Sequence, residues 1–228
     1  MAITLGAITF DEVHTDVAEK LEEVGGRNER EITVSGLIVG EESVTDIHDR
    51  LDAILDEASR EDFSAALSVR AGRRVFVRRN AFRREVRGDA LVGSFVLELA
   101  AKNPLEEAIA AIVENWSVEG SGWSRTFVPG GTVETAPKFS FTPPGDIDNP
   151  AFSDGVRTLR YSGVVSAGET FVVDGESGAV TLDGVSVLAY TSGEFPRLDP
   201  GGTEVTYTDD LVSPVAITVS VEHRGRWW

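Results

Sequence analysis

Apolar positions change their period twice along this 228-residue chain. Glu31 to Val39 (EITVSGLIV) reads as a strand with Gly36 at its middle. Ser43 then opens a helical pattern that places Val44, Ile47, Leu51, Ile54, Leu55 and Ala58 on one face, and Asp46 three residues on completes a capping box. After Asp62 the texture turns to strands: Phe63 to Val69, Arg73 to Arg79 and Ala90 to Leu99, split by Ala71-Gly72 and Gly88-Asp89. Asn103-Pro104-Leu105-Glu106 supplies the cap, first-turn proline and third-position acid of a helix start, with Leu105, Ala108, Ile109, Ile112 and Val113 behind it. This predicts a short second helix.

From Trp116 onward no helical period survives. Gly120, Gly122, Gly130, Gly131 and the Pro143-Pro144-Gly145 turn punctuate short runs such as Val133 to Phe141. Leu159 to Val165, Thr170 to Asp174, Ala179 to Leu182, Val185 to Tyr190, Thr203 to Thr208 and Val215 to Glu222 then suit an antiparallel sandwich. The expected architecture is mainly β with one or two helices: an α+β domain over 1–115 and an all-β sandwich over 116–228.

Charge sharpens this outline. The chain holds 38 acidic and 21 basic side chains, net −17, so phosphate backbones and anionic bilayers repel it as a whole. The distribution is uneven: residues 1–62 carry 17 acids against 5 bases, whereas Arg70 to Arg87 hold eight Arg and one Glu. One reading is a solvated surface. The other is a head-to-tail contact between copies, acidic face against basic hairpin, which closes into a ring when the rotation divides the circle.

Little catalytic chemistry is available. Zero cysteines remove disulfides, thiolate metal sites and thiol nucleophiles, and the three histidines lie far apart at 14, 48 and 223. Neither a phosphate-binding G-x-x-x-x-G-K-[ST] nor a G-x-S-x-G elbow occurs. Asp146, Asp148 and Asp154-Gly155 suggest a calcium loop, but Pro150 occupies a ligand position, so a plain acidic loop is expected and no metal or cofactor is assigned. Two carboxylates suffice for a glycosidase, and spacing alone neither supports nor removes that reading. Asn115-Trp116-Ser117 is a glycosylation sequon without secretory context. Trp116, Trp123, Trp227 and Trp228 fit either sugar stacking or core and interface packing. No apolar run reaches the roughly 18 residues of a membrane span, and the first ten residues lack signal-peptide character, so synthesis in a cytoplasm is expected.

Four C-terminal motifs carry a family likeness: Leu159 to Gly168 (LRYSGVVSAG), Asp174 to Gly184 (DGESGAVTLDG), Gly193-Glu194-Phe195-Pro196-Arg197-Leu198, and Pro200-Gly201-Gly202-Thr203-Glu204-Val205. In this order they resemble the galectin-like C-terminal domain of siphophage distal tail proteins, the Dit family. Gly131 to Phe141 resembles the first strand region of that domain, and Arg30 to Gly40, Gly72-Arg73 and Leu97 to Pro104 are similar in plan to its N-terminal half.

The resemblance implies a structural virion protein without a catalytic site or cofactor. It implies a hexameric ring of N-terminal domains at the distal end of a tail, joining the tail tube protein to the hub or tail-associated protein, with DNA passing the channel and no membrane or sequence-specific nucleic acid partner. On that reading Arg73, Arg74, Arg78, Arg79, Arg83, Arg84 and Arg87, with Trp227 and Trp228, are the expected subunit-contact residues; the alternative place for the arginine hairpin is the lumen. The galectin sugar signature H-x-N-P-R is missing, since Asp148-Asn149-Pro150 runs into Ala151, so glycan binding is not carried over. A carbohydrate-binding module or adhesin using Trp116 or Trp123 is the competing reading.

Overall fold

A computed structural model describes residues 2–24, 27–60 and 63–228. The chain divides into two compact units, Met1–Ile109 with Trp228, and Ala110–Trp227.

The first unit is a twisted antiparallel sheet under one helix. Its strands are β1 (Thr4–Leu5), β2 (Ile8–Thr9), β3 (Thr15–Val24), β4 (Arg27–Ile38), β5 (Ala65–Ser68), β6 (Arg73–Arg87), β7 (Val92–Ala101) and β8 (Glu106–Ala108). They line up as β2-β1-β5-β6-β7-β4-β3, and β8 pairs with the first residues of β6. The helix, α1 (Val44–Ala58), is capped as its sequence predicts: the Ser43 hydroxyl accepts from the Asp46 backbone N–H at 3.2 Å. Its buried stripe of Ile47, Leu51, Ile54 and Ala58 packs on Ile32, Val34, Ile38, Val75, Val77, Phe95 and Leu97. Gly36 interrupts the β4 run because a Cβ there would stand 2.9 Å from both the His14 carbonyl and the Phe95 ring.

Two expectations change here, and one strand is added. The second helix does not form: residues 106–108 are a strand on Arg73–Arg74, the Ile109 N–H donates to the Gly72 carbonyl at 2.9 Å, and Ile112 begins a further strand. The Asn103 carboxamide accepts from the Leu105 N–H at 3.1 Å and closes a turn instead of a cap, while Glu106 is drawn inward by cations. The strand expected to end at Arg79 continues to Arg87, so the arginines lie along a strand rather than around a turn. A bulge at Asn80, where the register slips between Arg79 and Ala81, resets the alternation so that Phe82 and Val86 join the core. Finally β3, unread in the sequence, is a ten-residue strand.

The second unit holds β9 (Ile112–Val118), β10 (Ser124–Phe127), β11 (Lys138–Phe141), β12 (Ile147–Asp148), β13 (Ala151–Ser153), β14 (Thr158–Tyr161), β15 (Val164–Val165), β16 (Phe171–Asp174), β17 (Ala179–Leu182), β18 (Val185–Ser186), β19 (Thr191–Gly193), β20 (Thr203–Thr208), β21 (Ile217–His223) and β22 (Arg226–Trp227). Two antiparallel sheets, β18-β17-β16-β11-β21-β9 and β10-β20-β13-β14-β19, enclose one aromatic core. Phe139 stacks on Phe152 at 4.4 Å between centroids, Phe141 and Tyr207 meet Phe152 edge-on, and Phe171 lies against Phe141. With one α-helix among the described residues, the molecule is mainly β.

Candidate functional site

The arginine strand and the acidic strand form the two open sides of the first sheet. β5 pairs with Val75–Val77 of β6 and goes no further, so from Arg78 to Arg87 the side of β6 facing away from β7 has no partner strand among the described residues. At the opposite end of the strand order, β3 pairs among the described residues only with β4. Both open edges are about ten residues long and expose unused backbone donors and acceptors. Their charges oppose: Arg78, Arg79, Arg83, Arg84, Arg87 and Glu85 on one, Asp16, Glu19, Glu22, Glu23 and Lys20 on the other.

The expected contact residues fall into four groups. Arg73 and Arg74 lie at the start of β6, paired with Glu106 at 3.5 Å and Glu107 at 2.8 Å, and the Arg74 guanidinium covers the Phe76 ring. Arg78 covers Phe63, and Arg79 forms no ion pair among the described residues. Arg83 reaches Glu98 at 3.0 Å, Arg84 reaches Asp52 on α1, and Arg87 reaches Glu85 at 3.4 Å; all three stay exposed. Trp227 is half-buried in β22, and Trp228 is 53% exposed.

A buried ion cluster, invisible in the sequence, braces the end of this sheet. Arg30 donates to Glu19 at 2.6 Å, to Glu106 at 3.0 Å and to the Pro104 carbonyl at 3.1 Å, and Arg70 approaches both carboxylates. It joins β3, β4, the β5–β6 turn and the 104–106 segment.

The remaining candidates disperse. Among the described residues no group of three or more His, Asp or Glu is placed to hold a metal ion. His14 pairs with Asp11 at 2.6 Å, and that hydrogen bond holds the Asp11 carboxyl below its ordinary value. His48 is exposed on α1, and His223 is buried beside Phe127 in the other unit. Asp154 is committed to structure: it accepts from the Val156, Arg157 and Arg197 backbone N–H groups at 2.9, 2.6 and 2.8 Å. Burial alone would raise its pKa, and these donors outweigh burial and lower it. Trp116 is 2% exposed, packed edge-on against Phe127, and so is core; Trp123 is exposed.

The motif residues shape the second unit's corners. Asp174 accepts from the Glu176 and Ser177 N–H groups at 3.0 and 3.1 Å to turn the β16–β17 hairpin. Leu198 is fully buried, and Thr135 and Leu198 exchange backbone bonds of 2.9 and 2.8 Å. Gly193 lies at φ +95°, where a Cβ would meet the Thr158 carbonyl at 1.9 Å.

Comparison with known proteins agrees with these corners. Residues 130–227 match the family model of the siphovirus-type tail component, C-terminal domain. No curated protein matches the chain. A crystal structure of the Dit (gp 19.1) protein of phage SPP1, described there as a paradigm of the hub adsorption apparatus in phages infecting Gram-positive hosts, superposes with a TM-score of 0.70. That alignment covers 100% of this chain and 99% of that one at 12% identity, so the whole chain shares that fold. Residues 130–227 thus match the siphovirus-type tail component C-terminal domain, and the chain as a whole shares the fold of the SPP1 Dit structure.

Proposed function

We propose that this protein forms a ring at the distal end of a phage-type tail, its N-terminal domain (1–115) making the ring and each copy carrying a galectin-like domain (116–228). The observation that carries the reading is the pair of open edges. β6, β7, β4 and β3 are each antiparallel to the next, so β3 runs opposite to β6. A second copy placed beside the first therefore offers its β6 edge antiparallel to the β3 edge, basic against acidic. Such a contact uses different surfaces on the two partners and generates a ring or a filament, never a symmetric dimer. Closure at six, and the joining of a tail tube protein to a hub protein, follow from the family resemblance.

The arginines serve this contact better than the lumen. Arg78 and Arg79 are exposed at the open edge, within reach of a neighbour's carboxylates in such a contact. The deciding experiment reverses the edge charge, Arg78→Glu with Arg79→Glu, and follows solution mass: loss of the large species supports the reading, and unchanged assembly overturns it. Restoration by Glu22→Arg with Glu23→Arg on the partner edge identifies the pairing.

A further inference from the structure

The tip of the β6–β7 hairpin carries an expensive residue. Four residues, 88–91, join Arg87 to Val92, and the Ala90 N–H donates to the Arg87 carbonyl at 3.3 Å. The last of the four, Leu91, lies at φ +46°, a left-handed conformation that glycine or asparagine adopts more cheaply. Leu91 is 37% exposed at the tip of the hairpin. Strain held at an exposed apolar residue points to a contact outside its own fold.

At the same end of the sheet lies a cavity. Ile38 pairs with Gly93 and Thr15 with Gly36, so the hairpin tip, the end of β4 and the start of β3 share one end. There a pocket of about 160 Å³ is lined by Ile8, Phe10, Leu37 and Val39 together with the charged Asp11, Glu41 and Arg50. Asp89 and Arg87 of the tip complement these charges, cation to carboxylate and carboxylate to Arg50.

We propose that Leu91 of one copy seats in this pocket of the next. The inference rests on the edge-to-edge ring above: antiparallel pairing of β6 with a neighbour's β3 carries the tip past Arg87 toward the neighbour's Thr15, which itself lines the pocket. The second copy is the occupant because it offers strain and charge together. The contact would fix the register of the edge pairing, which backbone hydrogen bonds and long-range charge leave free to slip.

The chain has no cysteine, so engineered thiols report without background. Chains carrying Leu91→Cys are mixed with chains carrying Thr9→Cys and oxidised. The proposal expects a covalent dimer in the mixture, above the level that either chain gives alone. Leu91→Gly, which relieves the strain and removes the knob, should raise the concentration needed for assembly at least tenfold while the protein stays folded. Assembly unchanged by Leu91→Gly, with no mixed dimer, overturns the knob and leaves the ring standing. A wild-type protein that never assembles overturns the ring and the knob together.

Discussion

Arg30 and Glu106, 76 residues apart in sequence, meet at 3.0 Å with both side chains almost wholly buried. A buried pair contributes little net stability when intact, since desolvation offsets attraction, yet losing one partner strands the other charge. Glu106→Gln or Arg30→Met should therefore cost about 3–5 kcal/mol in the first unit. Denaturant unfolding followed in that unit checks this, and a loss below about 1 kcal/mol would show that the cluster is wet and dispensable.

Trp116 and Trp123 of the second unit should behave oppositely. Trp116→Ala removes a core ring beside Phe127 and should cost about 3–5 kcal/mol. Trp123→Ala, at 44% exposure, should stay within about 0.5 kcal/mol. Thermal melts of both variants decide the assignment, and a glycan screen of the Trp123 variant tests the adhesin reading beside it.

Leu91→Gly should stabilise the unassembled protein by about 1 kcal/mol, since the left-handed backbone ceases to be strained. Measured by denaturant unfolding at concentrations below assembly, a destabilisation instead would mean that Leu91 packs on its own chain.

Asp154 gives the second unit an acid limit. Its pKa is lowered below the ordinary 3.8 in the folded state, so its contribution is complete above that value and is lost as pH falls through the lower, folded one. Asp154→Asn should narrow the gap in melting temperature from wild type as pH drops below about 4. A gap that stays constant from pH 6 to pH 2 contradicts the assignment.

How much of this was legible depends on where each residue's partners lie. The Ser43 cap and the Ile47-Leu51-Ile54 stripe are local, and the helix forms as read. The C-terminal corners were legible because Gly193 and Leu198 are required by backbone geometry and burial. The Asn103–Val113 segment looked helical by the same local rules, but its fate was set by Arg30, remote in sequence, which pulls Glu106 inward. β3 was missed because an open edge strand has no buried face to impose alternation: Val17 is half-buried and Leu21 is 49% exposed, four residues apart as on a helix. The arginine run was visible, but not the start of β5 at Ala65, opposite Val77, that leaves Arg78 to Arg87 without a partner strand on one side among the described residues.

The most direct test of the ring is the solution mass of the purified wild-type protein by light scattering, at low and at molar salt. Six copies of 24.5 kDa give about 147 kDa. The account predicts a species of that mass at low salt, weakened as salt screens the paired edges. A strict monomer at every salt and concentration would contradict it.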